Sequence, residues 1–386
     1  MTDIHILSGA RTAIGTFGGS LSPVTPIDLA TTAARAAIAR AGIAPGDIAT
    51  TVFGHVINTE PRDMYLSRVA ALQAGVPDTG PAMNVNRLCG SGLQAIVSGA
   101  QALMLGDADL ALVGGAECMS RAPHVLTAAR FGQKMGDTRA IDMMTGALTC
   151  PFGTGHMGIT AENVAARHGI TRADQDAFSL ESQRRAAHAL AAGWFTPEIT
   201  PVEVMGRKGA ILFDRDEHPK STSAAALAAL KPAFLKDGTV TAGNASGIND
   251  GAAALILCRG RREGARARIM GYAVAGVAPD VMGLGPIPAT LALCAKLGMQ
   301  PQDFDLVESN EAFAAQAIAV SRALSLDPAR VNPAGGAIAL GHPVGATGAI
   351  LAVKALHALE RHDQTTALLT MCIGGGQGIA IALERI

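Results

Sequence analysis

The sequence matches itself, weakly but persistently, when it is shifted by 256 positions. Residues 33–47 align without gaps to residues 289–303. The two segments share Ala33/Ala289, Gly42/Gly298, Pro45/Pro301 and Asp47/Asp303 among other pairs. Each copy reads as an Ala-rich amphipathic helix, a loop with proline and aspartate, a short apolar strand, and then a second helix and strand. The chain is therefore predicted to contain two similar α/β halves.

Strands alternate with helices in both halves, which predicts a mainly parallel sheet covered by helices on both faces. The candidate strands are 4–8, 50–56, 109–114, 305–309, 366–373 and 378–383. Residues 119–248 have no counterpart in the repeat and are predicted to be an insertion. We therefore divide the chain into an N-terminal half (1–118 plus 249–268), an inserted loop domain (119–248) and a C-terminal half (269–386).

Composition and sequence pattern exclude several classes of protein. With 49% hydrophobic residues and a net charge of −1, the chain differs from disordered proteins and lacks the basic surplus of nucleic-acid binders. No secretory signal and no run of about 18 apolar residues is apparent, so we expect no membrane span. Six scattered cysteines without a CxxC motif favour a reducing cytoplasm.

Cys89 and His342 form the first predicted reactive pair. Cys89 lies in NRLCGSGLQAI (86–96), just before an Ala-rich helix whose dipole favours a thiolate. His342 lies in the glycine-rich segment 332–349 and falls opposite Asn86 under the repeat offset. Pseudo-twofold packing of the halves would bring the two turns together. An imidazole at that position accepts the proton of the thiol.

Two further motifs lie at strand ends. Cys372, in TMCIGGGQG (370–378), ends an apolar strand and precedes three glycines, whose backbone N–H groups are suited to an oxyanion hole. Asn310, in ESNEAFAAQ (308–316), lies at a strand-to-helix junction. Its carboxamide is suited to orienting water or polarising a carbonyl, and helix capping is an equally common role.

These four motifs together resemble the thiolase family over essentially the whole chain. ARTAIGTFGGSL, GGAECMSRAPH, HMGITAENVA and GTVTAGNASGINDGAAA also follow the order of the family. The longer sequence around these motifs is most similar to bacterial β-ketothiolases of the acetyl-CoA acetyltransferase type. The resemblance implies a thiolase fold, in which two duplicated αβα-type halves form a layered αβαβα core with an inserted CoA-binding loop domain. It also implies a homotetramer built as a dimer of dimers.

The resemblance implies a two-step acyl transfer through coenzyme A thioesters. Cys89 would carry the acyl group after His342 takes its proton, and Cys372 would remove an α-proton from acetyl-CoA. The enolate oxygen would be bound by His342 and by a water on Asn310. The backbone N–H groups of Cys89 and Gly374 would bind the thioester oxygen. Acyl-CoA is thus the expected ligand, with no metal and no prosthetic group.

The middle segment supplies the expected CoA contacts by the same resemblance. His156 and Ser246 match positions that line the pantetheine tunnel, and Leu148 and Met157 match apolar positions near the acyl group. Lys220 stands where many relatives have arginine, because this chain reads DEHPK. A lysine meets a phosphate as a point charge, without the two-pronged hydrogen bonding of arginine.

Two other functions compete with this interpretation. GTGHMG (153–158) matches the dinucleotide fingerprint G-x-G-x-x-G and is followed by a helical segment, which is typical of NAD-dependent oxidoreductases. The fingerprint requires a buried strand directly before it, and ALTCPF is a poor strand. A non-catalytic lipid carrier on the same fold is the other alternative, and it is disfavoured because Cys89, Asn310, His342 and Cys372 are all present.

Overall fold

The computed structural model describes residues 3–206 and 209–386. The main strands are β1 (Ile4–Thr12), β2 (Thr50–Gly54), β3 (Ala82–Val85), β4 (Leu110–Cys118), β5 (Asn249–Arg259), β6 (Ala267–Gly276), β7 (Leu306–Ser309), β8 (Thr366–Ile373) and β9 (Gln377–Arg385). The longer helices are α1 (Pro26–Ala41), α2 (Leu66–Gln73), α3 (Ser91–Leu105), α4 (Met157–His168), α5 (Arg172–Ala191), α6 (Pro286–Leu297), α7 (Ala314–Ala323) and α8 (Thr347–Arg361).

Shorter elements connect these. The short helices are Met143–Ala147, Ala224–Ala228 and Ala337–Leu340. The short strands are Gly15–Thr16, His124–Val125, Ile141–Asp142, Thr149–Cys150, Gly155–His156, Ile199–Thr200, Val202–Gly206 and Gly209–Phe213. Most of these short elements fall within residues 119–248, so this segment has little long regular structure besides α4 and α5.

The nine main strands are hydrogen-bonded in the order β7-β8-β9-β6-β1-β5-β4-β2-β3. The expected mainly parallel sheet is wrong, because only β7–β8, β2–β4 and β2–β3 are parallel and the other pairs are antiparallel. Parallel pairing requires a crossover connection. The tight glycine turn between β8 and β9 makes a hairpin instead, and β5 returns alongside β4 after the long middle segment.

Three hydrophobic clusters show that the fold has five layers. The central cluster contains α3 and α8 together with strand residues of both halves, such as Val113 and Leu369. A second cluster packs α1 and α2 on the outer face of the first half. A third packs α6 and α7 on the outer face of the second half. The α/β class and the αβαβα layering are therefore confirmed.

The internal repeat is confirmed by the element boundaries. Helix α3 begins at Ser91 and α8 at Thr347, and they end at Leu105 and Arg361, so both ends are displaced by 256 residues. The helices meet at Gly92 and Gly348, which are equivalent under the same offset. A Cβ on Gly92 would lie 2.5 Å from the Ala349 nitrogen, so the close crossing requires glycine. The two turns that precede these helices therefore meet, as predicted.

Helix α3 also belongs to the one stretch in the described residues that is long and apolar enough to span a membrane. Leu88–Leu105 has a mean hydropathy of 1.3 over 18 residues, so the expectation that no such stretch exists is corrected. In the fold this helix is in the middle layer, and its Leu93, Ile96 and Leu103 are at most 1% exposed. Contact with both halves of the core accounts for its apolar character.

Residues 119–248 connect β4 to β5, touch the main sheet through the short strand Ile199–Thr200 beside β1, and pack mainly on the second half. Cys150, Met157 and Val240 from this segment share an apolar cluster with Phe313 and Cys372. The side chains of α4 pack against α7 in a neighbouring cluster. The segment therefore covers the ends of β7 and β8, where two of the predicted motifs lie.

Candidate active site

A cavity of about 550 Å³ opens between the middle segment and the strand ends of both halves. It is lined by nine of the ten side chains or backbone groups singled out above, which are Cys89, Leu148, His156, Met157, Lys220, Ser246, His342, Cys372 and Gly374. The tenth residue, Asn310, lies behind His342, with its Nδ2 at 3.4 Å from the ring Nε2. The fold therefore brings together residues that are up to 285 positions apart in the chain, from Cys89 to Gly374.

A strained turn holds Cys89 at the cavity. Leu88 has a φ of 45°, a left-handed conformation that a leucine rarely adopts. Asn86 Oδ1 accepts a hydrogen bond from the Leu88 N–H at 3.0 Å. Ser91 Oγ accepts from the Arg87 N–H at 2.9 Å and donates to the Leu88 carbonyl at 2.6 Å. These side-chain bonds fix the turn and aim the thiol into the cavity.

The electrostatics of Cys89 differ from the expectation drawn from the helix dipole. Burial raises the pKa of this thiol to about 11, and the charge of Glu117 adds to the increase. The backbone N–H groups of Gly374 and of Cys89 itself hydrogen-bond the sulfur and oppose it. The predicted preference for thiolate is therefore wrong in the resting protein, because desolvation outweighs the helix terminus. The thiol needs a base.

His342 is a neutral imidazole whose Nε2 carries the lone pair and accepts a long hydrogen bond from Asn310 Nδ2. The Thr347 hydroxyl donates to the Pro343 carbonyl at 2.9 Å, so it accepts from Nδ1–H of His342 at 2.7 Å. This assignment leaves Nε2 unprotonated, within 3.4 Å of the Asn310 amide. Burial lowers the pKa of His342 to about 4. The ring is therefore ready to accept a proton at neutral pH.

Cys372 is fully buried in β8, opposite Gly378 in the β8–β9 hairpin. Burial raises its pKa well above the usual range, and a negative charge on Cys89 raises it further. Both cysteines line the same cavity. The site therefore contains two protonated thiols and one neutral base, which suits sequential proton transfers rather than a standing thiolate.

The tunnel toward the surface combines aromatic and polar groups. The His156 ring stacks on Phe234 with centroids 4.7 Å apart, and its Nδ1 accepts from the Gly158 N–H. The Ser246 N–H donates to the Ala312 carbonyl, and its hydroxyl has no hydrogen bond within the described residues. Lys220 is exposed at the rim. A long flexible ligand with amides and a terminal anion fits such a tunnel.

Several residues of the site were missed by sequence reasoning. Phe234, Phe313 and His218 line the cavity, and burial lowers the pKa of His218 to about 4. Thr347, which orients His342, could have been found because the repeat offset pairs it with Ser91. Glu117 stands out only as an acidic residue near the end of the apolar strand β4. No local pattern marked the other three.

The segment GTGHMG does not form a dinucleotide-binding turn. It is preceded by the two-residue strand Thr149–Cys150, which pairs only with Gly155–His156 in a separate ribbon. A dinucleotide fingerprint requires a buried strand of the main sheet at this point. The fold therefore gives no support to the oxidoreductase alternative.

Comparison with known proteins gives a consistent result over the full length. Residues 4–261 match the family model "Thiolase, N-terminal domain", and residues 264–385 match "Thiolase, C-terminal domain". The chain is 56% identical to the beta-ketothiolase BktB of Cupriavidus necator, over 100% of this chain and 99% of that protein. It is 48% identical to the acetyl-CoA acetyltransferase of Escherichia coli strain K12, over 100% of both chains.

Solved structures are equally similar. The acetyl-CoA acetyltransferase of Bacillus anthracis superposes with a TM-score of 0.97 at 41% identity, over 100% of this chain and 99% of that one. Human mitochondrial 3-ketoacyl-CoA thiolase in complex with CoA superposes with a TM-score of 0.96 at 41% identity, over 100% and 98% of the two chains.

Proposed function

This chain belongs to the thiolase family, and from that premise we propose that it joins acetyl-CoA to an acyl-CoA. The products are a 3-ketoacyl-CoA and free CoA, and thiolysis is the reverse reaction. One observation carries the proposal, which is that two thiols, a neutral imidazole and backbone N–H donors converge on one tunnel-shaped cavity. Covalent capture on a thiol divides carbon–carbon bond formation into easier steps.

The first step transfers an acyl group to Cys89. His342 Nε2 takes the thiol proton as the sulfur attacks the thioester carbonyl. The N–H groups of Cys89 and Gly374, which already hydrogen-bond the sulfur, bind the oxyanion. The C–S bond to CoA breaks, and the departing CoA thiolate takes the proton of Cys372. The step leaves acylated Cys89, protonated His342, a Cys372 thiolate and free CoA.

The second step uses that thiolate. Cys372 removes an α-proton from acetyl-CoA, and the enolate attacks the acyl group on Cys89. The protonated His342 donates from Nε2 to the enolate oxygen, and a water held by Asn310 is the second donor. Asn310 Oδ1 is buried without a partner in the described residues, which supports a water at this place. The Cys89 sulfur departs and recovers its proton from His342, so the cycle closes.

The rate of Cys89 acylation at low pH depends on the pKa of His342. Because the free base is the active form and its pKa is lowered to about 4, the rate of Cys89 acetylation should stay level from pH 8 down to about pH 5. Activity would then fall as pH drops through about 4. Stopped-flow acetylation at constant ionic strength measures this. A half-maximal rate near pH 6.5 would mean that an ordinary, exposed histidine is the base.

Coenzyme A is proposed to enter past Lys220, with its pantetheine arm between His156 and Ser246 and its acyl end against Leu148 and Met157. Leu148 and Met157 are joined by a backbone hydrogen bond of 2.8 Å, which fixes this wall. The unpaired Ser246 hydroxyl suits a pantetheine amide. No prosthetic group is needed for any step.

Lys220→Ala should raise the KM for acetoacetyl-CoA about two- to fivefold and leave kcat within about twofold, since an exposed ion pair contributes little. The Lys220 ammonium has no ion-pair partner within residues 3–206 and 209–386, and the recorded hydrogen bond to Gln183 comes from its backbone N–H, which the change keeps. Lys236→Ala is the matched control, because Lys236 is also exposed and does not line the cavity. An equal rise of KM in both variants would show that Lys220 does not contribute to the binding site.

The proposed substrates are short 3-ketoacyl-CoA esters. A series of 3-ketoacyl-CoA chains from C4 to C8, assayed with free CoA, tests both the reaction and the chain length. Consumption of acetoacetyl-CoA with formation of acetyl-CoA is the expected result. No CoA-dependent cleavage of any chain would reject the function, and a strong preference for C8 would reject the short-chain assignment.

A homotetramer in the cytoplasm completes the proposal. Phe131 and Met135, in the middle segment, are 92% and 88% exposed, which supports burial against another copy. A second apolar area beside the edge strand β3 includes Tyr65 and Met83. Two separate areas suit a dimer of dimers.

All six cysteines are free thiols, which supports a reducing compartment. We keep 119–248 as the CoA-binding loop domain between the two halves.

A further inference from the structure

The carboxylate of Glu117 connects two loops that belong to different halves of the molecule. Glu117 lies in β4 and is 0% exposed. Its Oε2 accepts hydrogen bonds from the N–H groups of Val56 at 3.1 Å and Gly345 at 3.0 Å. Its Oε1 accepts from the Ile57 N–H at 3.1 Å. Three backbone donors therefore converge on one buried anion, an arrangement that favours its ionised form.

Gly345 is the position in the second half that corresponds to Cys89, because 89 plus 256 is 345. At Cys89 the backbone N–H hydrogen-bonds the reactive sulfur, whereas at Gly345 the same N–H is bound by Glu117. A Cβ on Gly345 would lie 2.5 Å from Glu117 Oε2, so glycine makes room for the carboxylate. The duplicated anion-binding position is thus filled from inside the protein.

The bond to Gly345 bears directly on the base. Gly345 lies between His342 and Thr347, the residue whose hydroxyl orients the imidazole. The His342 N–H is held at the other end by Asn249 Oδ1 at 2.9 Å. Glu117 is the side chain that fixes the carboxyl-terminal side of this short loop. Displacing it would let both the ring and its orienting hydroxyl shift.

The charged neighbours of Glu117 are few. His55 Nδ1 lies 3.4 Å from Oε1 and donates to the Ala116 carbonyl, and His55 Nε2 lies 4.0 Å from Asp63 Oδ2. Burial raises the pKa of Glu117, and His55 together with the three N–H groups opposes this. On the cavity side the charge of Glu117 acts on the thiol of Cys89. No lysine or arginine within the described residues pairs with Glu117.

We propose that Glu117 is a positioning residue of the thiolase reaction, fixing the His342 loop from the opposite half of the molecule. The proposal rests on the function assigned above. It assigns to Glu117 no contact with substrate. Because Glu117 acts on the placement of His342, its loss should lower kcat and leave the binding of CoA unchanged.

Glu117→Gln and Glu117→Asp test the proposal together. The glutamine presents an NH₂ group to backbone N–H donors, and the aspartate is one methylene too short to reach Gly345. Both should lower kcat about a hundredfold, the order expected when a catalytic group is misplaced by about 1 Å, with KM within about threefold. The aspartate variant keeps the charge and serves if the glutamine variant does not fold.

The pH dependence of Cys89 alkylation by iodoacetamide separates positioning from a general loss of structure. Because the charge of Glu117 raises the pKa of Cys89, Glu117→Gln should move alkylation to lower pH, whereas Glu117→Asp should not. Glu162→Gln is the control. Glu162 is also buried and accepts from the N–H groups of Thr239 and Val240, away from Cys89. It should leave the alkylation profile unchanged.

Each outcome decides the matter. If kcat of either Glu117 variant stays within threefold of the unmodified protein, the positioning role is rejected. An alkylation profile that moves equally in Glu162→Gln rejects it as well, because the effect would then not be specific to Glu117. The proposed function is tested separately with the protein that carries no substitution. If that protein keeps its activity after Cys89 has been alkylated, the proposed function is rejected.

Discussion

Cys89→Ala should leave a folded protein that forms no acyl-enzyme and catalyses neither condensation nor thiolysis. We expect a loss on the order of 10⁴-fold or more, because removing a nucleophile leaves only binding and the oxyanion donors to act. Cys372 is a poor substitute, since it is fully buried in β8 and its pKa is far above the usual range. Intact-mass measurement after mixing with acetyl-CoA should show one added acetyl group on the unmodified protein and none on the variant.

Cys294→Ala is the matched control for this experiment. Cys294 is a buried thiol in the outer layer of the second half, remote from the cavity lining. Its removal should cost some stability and leave acetylation intact. An acetyl group that still appears on Cys89→Ala at a comparable rate, on any residue, would contradict the assignment of the nucleophile.

Cys372→Ala should separate the two halves of the reaction. Acetylation of Cys89 should persist at reduced rate, whereas exchange of the α-protons of acetyl-CoA with deuterated solvent should stop. Condensation should fall about 10²- to 10⁴-fold, the usual contribution of a positioned general acid or base. Proton NMR of acetyl-CoA in deuterated buffer measures the exchange directly.

Cys150→Ala provides a close comparison, because Cys150 belongs to the same apolar cluster as Cys372 and does not line the cavity. It should keep proton exchange within a few-fold of the unmodified protein. Exchange that persists in Cys372→Ala at this level would show that another group removes the α-proton.

Much of the fold could be predicted from hydrophobic pattern and from the repeat. All six candidate strands lie on observed strands, because each is a short apolar run between turn residues. Three main strands were missed, which are β3, β5 and β6, and the causes differ. Ala267–Gly276 begins at the end of an arginine-rich run and is interrupted by Gly271. Ala82–Val85 is short and partly exposed, and Asn249–Arg259 begins in a polar segment that reads as a loop. The direction of strand pairing could not be predicted, since it depends on where the chain goes after residue 118.

The candidate site was predicted less evenly. The repeat offset placed His342 beside the Cys89 turn, and the two helices do meet at Gly92 and Gly348. The charge state of Cys89 could not be predicted from its place at a helix terminus, because desolvation by the surrounding half of the molecule decides it. Glu117 was missed for the same reason, since its three partners come from loops that are distant in sequence.

The central position of β1 has a consequence for synthesis of the chain. Its two main neighbours in the sheet, β5 and β6, are built from residues 249–276. At roughly 5–20 residues per second, translation takes on the order of 10–50 s to supply them. During that time the first strand, which is buried along its whole length in the folded protein, lacks both of its main partners. Nascent chains of this protein are therefore expected to depend on chaperones, and a ribosome that pauses before residue 249 would prolong the interval in which they aggregate.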